Sequence, residues 1–132
     1  IFGDPSGRPG TLLSFFVSPH FVAGRAGRGQ AIQTILSVPE GELDRWRQRL
    51  AEAGVEAREG SGKTLFFPGP DGVGLGIIAA GTVPETELHG VVLASSDPPA
   101  TRAFLVRALG FSEADGGYLH AGPDPLRDLV LL

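Results

Sequence analysis

Apolar positions along the chain come in short runs divided by glycine, proline and small polar residues, and in two segments their spacing lengthens from two to between three and four. Residues 11–17 (TLLSFFV) are apolar and rich in β-formers, and they follow the turn sequence GDPSGRPG, so a strand is predicted there. Residues 18–29 read as a loop, and residues 30–38 (QAIQTILSV) as a strand. Over residues 42–53, Leu43, Trp46, Leu50 and Ala53 recur at helical spacing, and Gly54 supplies the stop. Three short strands are predicted at residues 55–59, 63–67 and 73–79, with glycine- and proline-bearing turns between them. Residues 80–87 make a polar linker, after which the pattern restarts with a strand at residues 88–95. Asp97 is placed to cap a second helix with Pro98 at its first position. Phe104, Leu105, Ala108 and Leu109 are its predicted buried stripe, Gly110 ends it, and strands are predicted at residues 111–114, 118–121 and 127–132.

The order strand, helix, glycine and three strands thus occurs twice. Gly54-Val55 recurs as Gly110-Phe111, 56 residues on, and the turn Gly69-Pro70-Asp71 recurs as Gly122-Pro123-Asp124, 53 residues on. Turn chemistry repeated at nearly one period points to duplicated units. The fold expected is α+β, with tandem βαβββ modules, mixed sheets and one helix on the outer face of each. Residues 1–29 read as the end of a preceding module and a linker, residues 30–80 as a first full module and residues 88–132 as a second. Trp46 and Leu50 are expected to pack under the first, Phe104 and Leu105 under the second. The helix-free face of each small sheet must be buried by another unit or line a cavity.

Composition narrows the function classes. Twenty Gly and 11 Pro agree with many tight turns. A net charge of −4 with no basic stripe argues against a nucleic-acid partner. Arg45, Arg47 and Arg49, interleaved with Glu42 and Asp44, read as a solvated helix face. The absence of Cys excludes disulfides, zinc fingers and thiol catalysis and fits a cytoplasmic setting. No apolar run approaches the ~20 residues of a membrane span, and no signal-peptide pattern is present, so no membrane partner is expected. The chain starts at Ile1 and contains no Met, which reads either as removal of residues or as part of a longer polypeptide.

Several motif echoes fail on context. Gly62-Lys63-Thr64 suggests a phosphate loop, but the glycine required five residues before Gly62 is Ala57, and a strand rather than a helix follows. Gly72, Gly74 and Gly76 suggest a dinucleotide loop with the wrong spacing and no helix after it. Ser18 and His20 sit in a proline-containing loop, and no catalytic triad can be singled out.

The βαβββ repeat, with Gly69-Pro70-Asp71-Gly72 before its last strand, resembles the vicinal-oxygen-chelate superfamily of glyoxalases, bleomycin-resistance proteins and extradiol dioxygenases. Phe2-Gly3-Asp4, Arg8-Pro9-Gly10-Thr11 and Ser14-Phe15-Phe16 resemble a stretch of the ring-cleaving dioxygenases that act on hydroquinone-type substrates, and residues 24–30 (GRAGRGQ) resemble the linker that follows it there. That resemblance implies a longer chain of about four modules. It also implies Fe(II) or Mn(II) held by two His and one Glu, a triad with open positions for a chelating diol and oxygen, on the outer modules. This chain then corresponds to the inner, metal-free pair.

The residues agree with that placement. At the first His position of the first full module stands Gln33, and strand alternation groups it with Ala31, Ile35 and Ser37, opposite Ile32, Thr34, Leu36 and Val38. The Glu position is Gly76. In the second full module the matching positions are Gly90 and Val130; His89 is out of phase by one, and Asp128 lies two residues early on the same face. His120 falls in a middle strand with no identifiable partner. No catalytic or cofactor-binding residue is therefore expected, the one weak candidate for metal binding is Gln33, and Fe(II) or Mn(II) is expected only if the missing modules carry the family activity.

Three readings follow, and whether the chain takes part in an enzyme is open among them. In the first, it is the metal-free half of a ring-cleaving dioxygenase-like chain. In the second, it is a metal-independent module that binds a small aromatic or drug molecule and acts as a homodimer, with Gln33, Ser37, Phe67 and Tyr118 lining the cavity and Phe15 as a further stacking residue. In the third, metal ligands including Gln33 are shared between chains. The expected partners are a second copy or further modules of the same chain.

Overall fold

The computed structural model describes residues 2–4, 6–9, 11–16, 18–20, 22, 24–60, 63–70, 72–80, 86–113, 118–120 and 128–131, the last two of these segments for their backbone alone. Its first unit begins with β1 (Gln30–Val38). From Gln33 onward β1 alternates, and the face bearing Thr34, Leu36 and Val38 meets α1 (Leu43–Glu52). Val38, Leu43, Leu65 and Ile77 form the buried cluster there, with Trp46, Phe67 and Ala79 packed against it. α1 buries Leu43 and Leu50, and it places Asp44 in its first turn and Arg49 in its last, as its dipole favours. Gly54 follows with a φ of 68°, the left-handed turn that reverses the chain after the helix.

Three antiparallel strands complete the unit: β2 (Arg58–Gly60), β3 (Thr64–Pro68) and β4 (Gly74–Ala79). β4 then pairs in parallel with β1, Leu36 beside Ile77 and Val38 beside Ala79. The second unit repeats this with β5 (Glu87–Ala94), α2 (Pro98–Leu109), β6 (Ser112–Glu113), β7 (Tyr118–His120) and β8 (Asp128–Leu131), where β5 pairs in parallel with β8. β1 and β5 meet antiparallel at the centre, giving one eight-stranded sheet in the order β2-β3-β4-β1-β5-β8-β7-β6. Exchanging the two units leaves that order unchanged, so the strand order is symmetric about the β1–β5 pair.

Because Thr34 lies beside Val91, and Val91 and Leu93 pack against Leu105 of α2, both helices cover the same face of the sheet. The Asp97 side chain accepts from the Ala100 N–H at 3.0 Å, and Gly110 closes α2 with a φ of 72°. The central pairing slips twice, leaving Ile32 and His89 unmatched, each the third residue of its strand. Bulges at equivalent places in both units restart the alternation at Gln33 and Gly90.

Three expectations need correction. Residues 11–16 form no strand: one bridge joins Phe2 to Leu13, through N–H···O bonds of 2.7 and 2.8 Å, because the intervening turn folds the segment onto itself rather than beside a sheet edge. The strand predicted from Val55 starts at Arg58, since the Val55 N–H donates to the Leu50 carbonyl and prolongs the end of α1. In α2, Leu105 is buried, but Phe104 and Leu109 are each 59% exposed and Ala108 is exposed too. α2 meets the sheet through Leu105 and Val106, and Phe104, one step back along the helix, is turned about a quarter circle from Leu105. The turn predicted at 122–124 lies outside the described residues.

Candidate functional site

Away from the helices, the sheet presents Gln33, Ile35 and Ser37 of β1, Thr64 and Phe66 of β3, and Gly74, Gly76 and Ile78 of β4. Gln33 lies beside Gly74 so closely that a Cβ there would fall 2.6 Å from the Gln33 Cγ. Phe66 lies beside Gly76 and spreads its ring over two glycines. A Cβ on Gly76 would meet the Phe66 Cε1 at 2.9 Å and Cδ1 at 3.0 Å; one on Gly60 would meet its Cε2 at 2.5 Å. These two positions are glycine for want of space, not for their backbone angles. The Ser37 hydroxyl is buried and donates to the Glu87 carbonyl at 3.4 Å.

Not all of the expected cavity residues come together. Gln33 and Ser37 share the helix-free face. Phe67 points to the other side, against the core beneath α1, because it is one residue out of step with Phe66. The Tyr118 backbone is in β7 beside Val130, and its side chain lies outside the described residues, as do those of His120, Asp128 and Val130. Gly90 sits between Ile35 and Asp128, and His89, 9% exposed, is the unmatched residue of its bulge. Phe66 escaped the sequence reading, which named Gly76 only as a vacant ligand position. The available signal was glycine at two β positions flanking an aromatic strand.

On the helix-bearing face a cleft of about 950 Å³ opens between the N-terminal segment and α1. Trp46, Phe67, Leu36, Leu75 and Ile77 wall it on the side of the sheet, and Phe2, Leu13 and Phe15 close it from above. Phe2 and Phe15 meet edge to face, with centroids 5.8 Å apart. What holds this segment is the Asp4 carboxylate, whose side chain is only 3% exposed. It accepts from the Arg8 N–H at 3.0 Å, the Arg8 Nε at 2.7 Å and the Ser6 hydroxyl at 3.0 Å. Desolvation pushes the Asp4 carboxyl up, but these bonds together outweigh it and hold the group at about 2. Arg8 also reaches Glu87 at 3.2 Å, tying the turn to the start of β5. The Thr11 hydroxyl donates to the Arg8 carbonyl at 2.8 Å and so closes the loop.

No family model matches the chain. Over 132 residues it is 31% identical to a protein of Bacillus subtilis (strain 168) described as "Putative ring-cleaving dioxygenase MhqE", the match covering 85% of this chain and 43% of that protein. A solved structure described as a "putative dioxygenase from Bacillus subtilis subsp. subtilis str. 168" superposes with a TM-score of 0.62 at 25% identity, covering 81% of this chain and 42% of that one. The chain belongs to the vicinal-oxygen-chelate superfamily. Within it, the likeness is to ring-cleaving dioxygenases, and the chain spans less than half the length of these relatives.

A vicinal-oxygen-chelate metal site needs imidazole and carboxylate donors on the helix-free face. Here the four corresponding positions hold Gln33, Gly76, Gly90 and Val130, and one amide is the sole donor among them. The space beside Gly76 is filled by the Phe66 ring and, at 3.4 Å, by the Ile35 Cγ1. Among the described residues no group of three or more His, Asp or Glu side chains is placed to hold a metal ion. These residues do not fit a resident divalent metal.

Proposed function

We propose that this chain is the metal-free half of a ring-cleaving dioxygenase-like polypeptide, and that its part is to complete and brace the modules that hold Fe(II) or Mn(II). The observation that carries the reading is the Phe66 ring lying where a Gly76 side chain would project, together with the loss of donors at Gly90 and Val130. A face in which an aromatic ring has replaced a carboxylate is suited to packing, not to polarising a diol. Further modules of the same polypeptide are then the partner of the helix-free face. No described helix is long and apolar enough to cross a membrane, and the absence of cysteine suits the cytoplasm.

Metal analysis tests this. After anaerobic incubation with Fe(II) or Mn(II) and desalting, the chain is expected to retain less than ~0.1 equivalent, because a specific site requires several ordered, deprotonated donors. The longer polypeptide that the reading requires is expected to retain about one equivalent and to open a hydroquinone ring. Near-stoichiometric metal on this chain, abolished by Gln33→Ala, would overturn the reading in favour of a site shared between copies.

A further inference from the structure

We propose that the cleft between the N-terminal turn and α1 is a binding site for a small neutral aromatic molecule. It lies across the sheet from the face where the superfamily places its metal, so it stands or falls independently of the role proposed above.

Shape and lining come first. At about 950 Å³, the cleft is at the upper end of the ~300–1,000 Å³ usual for small-molecule sites. Its floor is the flat patch made by Leu36, Leu75 and Ile77 on neighbouring strands, and Trp46 and Phe67 stand beside it. Arg49 is stacked on the Trp46 ring, with its guanidinium carbon 4.9 Å from the ring centroid, which anchors the indole. Phe15 is held from the other side by its edge-to-face contact with Phe2. Aromatic rings fixed in this way form a slot that costs little further ordering when a planar molecule enters.

Charge selects the ligand. Three carboxylates border the cleft, and each already has a cation: Asp4 has Arg8 at 2.7 Å, Glu40 has Lys63 at 2.7 Å and Glu42 has Arg45 at 3.3 Å. No carboxylate at the rim therefore calls for a cationic ligand, while an anion would lose its hydration against apolar walls. The Thr11 hydroxyl is engaged with the Arg8 carbonyl. Apart from Thr86, what remains is apolar area, which favours an uncharged ring system.

Trp46 is the only tryptophan, so its emission reports on the cleft directly. The probes are 4-nitrotoluene, which is neutral, and 4-nitrobenzoate, its anionic counterpart. The expected result is saturable quenching by the neutral probe with an unchanged excited-state lifetime, and affinity for the anion at least about tenfold weaker. Leu75→Phe, which adds bulk to the floor, is expected to weaken the neutral probe about tenfold, whereas Gln33→Ala on the opposite face leaves it unchanged. Methyl spectra supply a reading that needs no variant: Leu36, Leu75 and Ile77 signals should shift on titration while Ile35, across the sheet, does not. Quenching that never saturates, equal affinity for the two probes, or methyl shifts confined to Ile35 would overturn the proposal.

Discussion

Restoring a carboxylate at Gly76 is the sharpest test of why this face carries no metal donors. The Cβ of Gly76→Glu would lie 2.9 and 3.0 Å from two Phe66 ring carbons, closer than such atoms approach without displacement. Forcing the ring aside costs about 1–3 kcal/mol. Placing a carboxyl group at this buried position adds about 1–3 kcal/mol where no hydrogen-bond partner is supplied. Removing a glycine from a strand returns about 0.5–1 kcal/mol. The single variant should therefore lose about 1–5 kcal/mol, centred on about 3 kcal/mol. Phe66→Ala alone should lose about 2 kcal/mol, less than a fully buried ring because Phe66 is half-buried. In the double variant the clash has no second partner, so the loss should fall short of the sum by about 1–3 kcal/mol. Urea unfolding of the four proteins measures this coupling directly, provided that the dependence on denaturant stays constant across the set. Losses that add to within about 0.5 kcal/mol would refute the claim that the ring holds the space at position 76.

Other outcomes can be checked with the same preparations. Asp97→Ala removes the side-chain acceptor for the Ala100 N–H and should cost about 1 kcal/mol in thermal or urea unfolding. Leu65→Ala, at a position 1% exposed between β2 and β4, should cost about 2–5 kcal/mol, while Phe104→Ala on the open side of α2 should stay within about 0.5 kcal/mol. The Asp4 carboxyl is held at about 2, below its ordinary 3.8, so its contribution is present above pH 3.8 and disappears as pH falls through about 2. Protection of the Phe2 and Leu13 amides from hydrogen exchange, taken relative to the intrinsic rate at each pH, should fall over that window, and Asp4→Asn should remove the pH dependence by weakening the turn at every pH.

The element order could be read from the sequence because each signal was local. Leu43, Trp46 and Leu50 sit at helical spacing, and Gly54 and Gly110 carry the positive φ that ends each helix. Asp97 caps as its position predicts. What escaped depended on neighbours distant in sequence. Leu65, Phe66 and Phe67 are three apolar residues in a row, so nothing in the strand itself says which ring faces the helix; the register with Gly76 decides it. In α2 only Arg102 and Arg107 are charged, leaving apolar residues on every side and no single stripe to choose. The run at residues 11–16 has strand composition, but a strand needs an edge to pair with, and the Asp4-centred turn takes the segment elsewhere. On the helix-free face, vacant ligand positions were legible as residue types. The ring that occupies one of them was not.

The arrangement of the two units also limits how the molecule can grow. The long first strands of both are consumed at the middle of the sheet, and its outermost members are β2, with three residues, and β6, with two. Rims this short, bearing Arg58, Glu59 and Glu113, offer a poor template for another ribbon to copy, and they protect the protein from end-to-end accretion. A larger assembly is consequently expected to stack broadside, flat surface upon flat surface, instead of being knitted on at the margins.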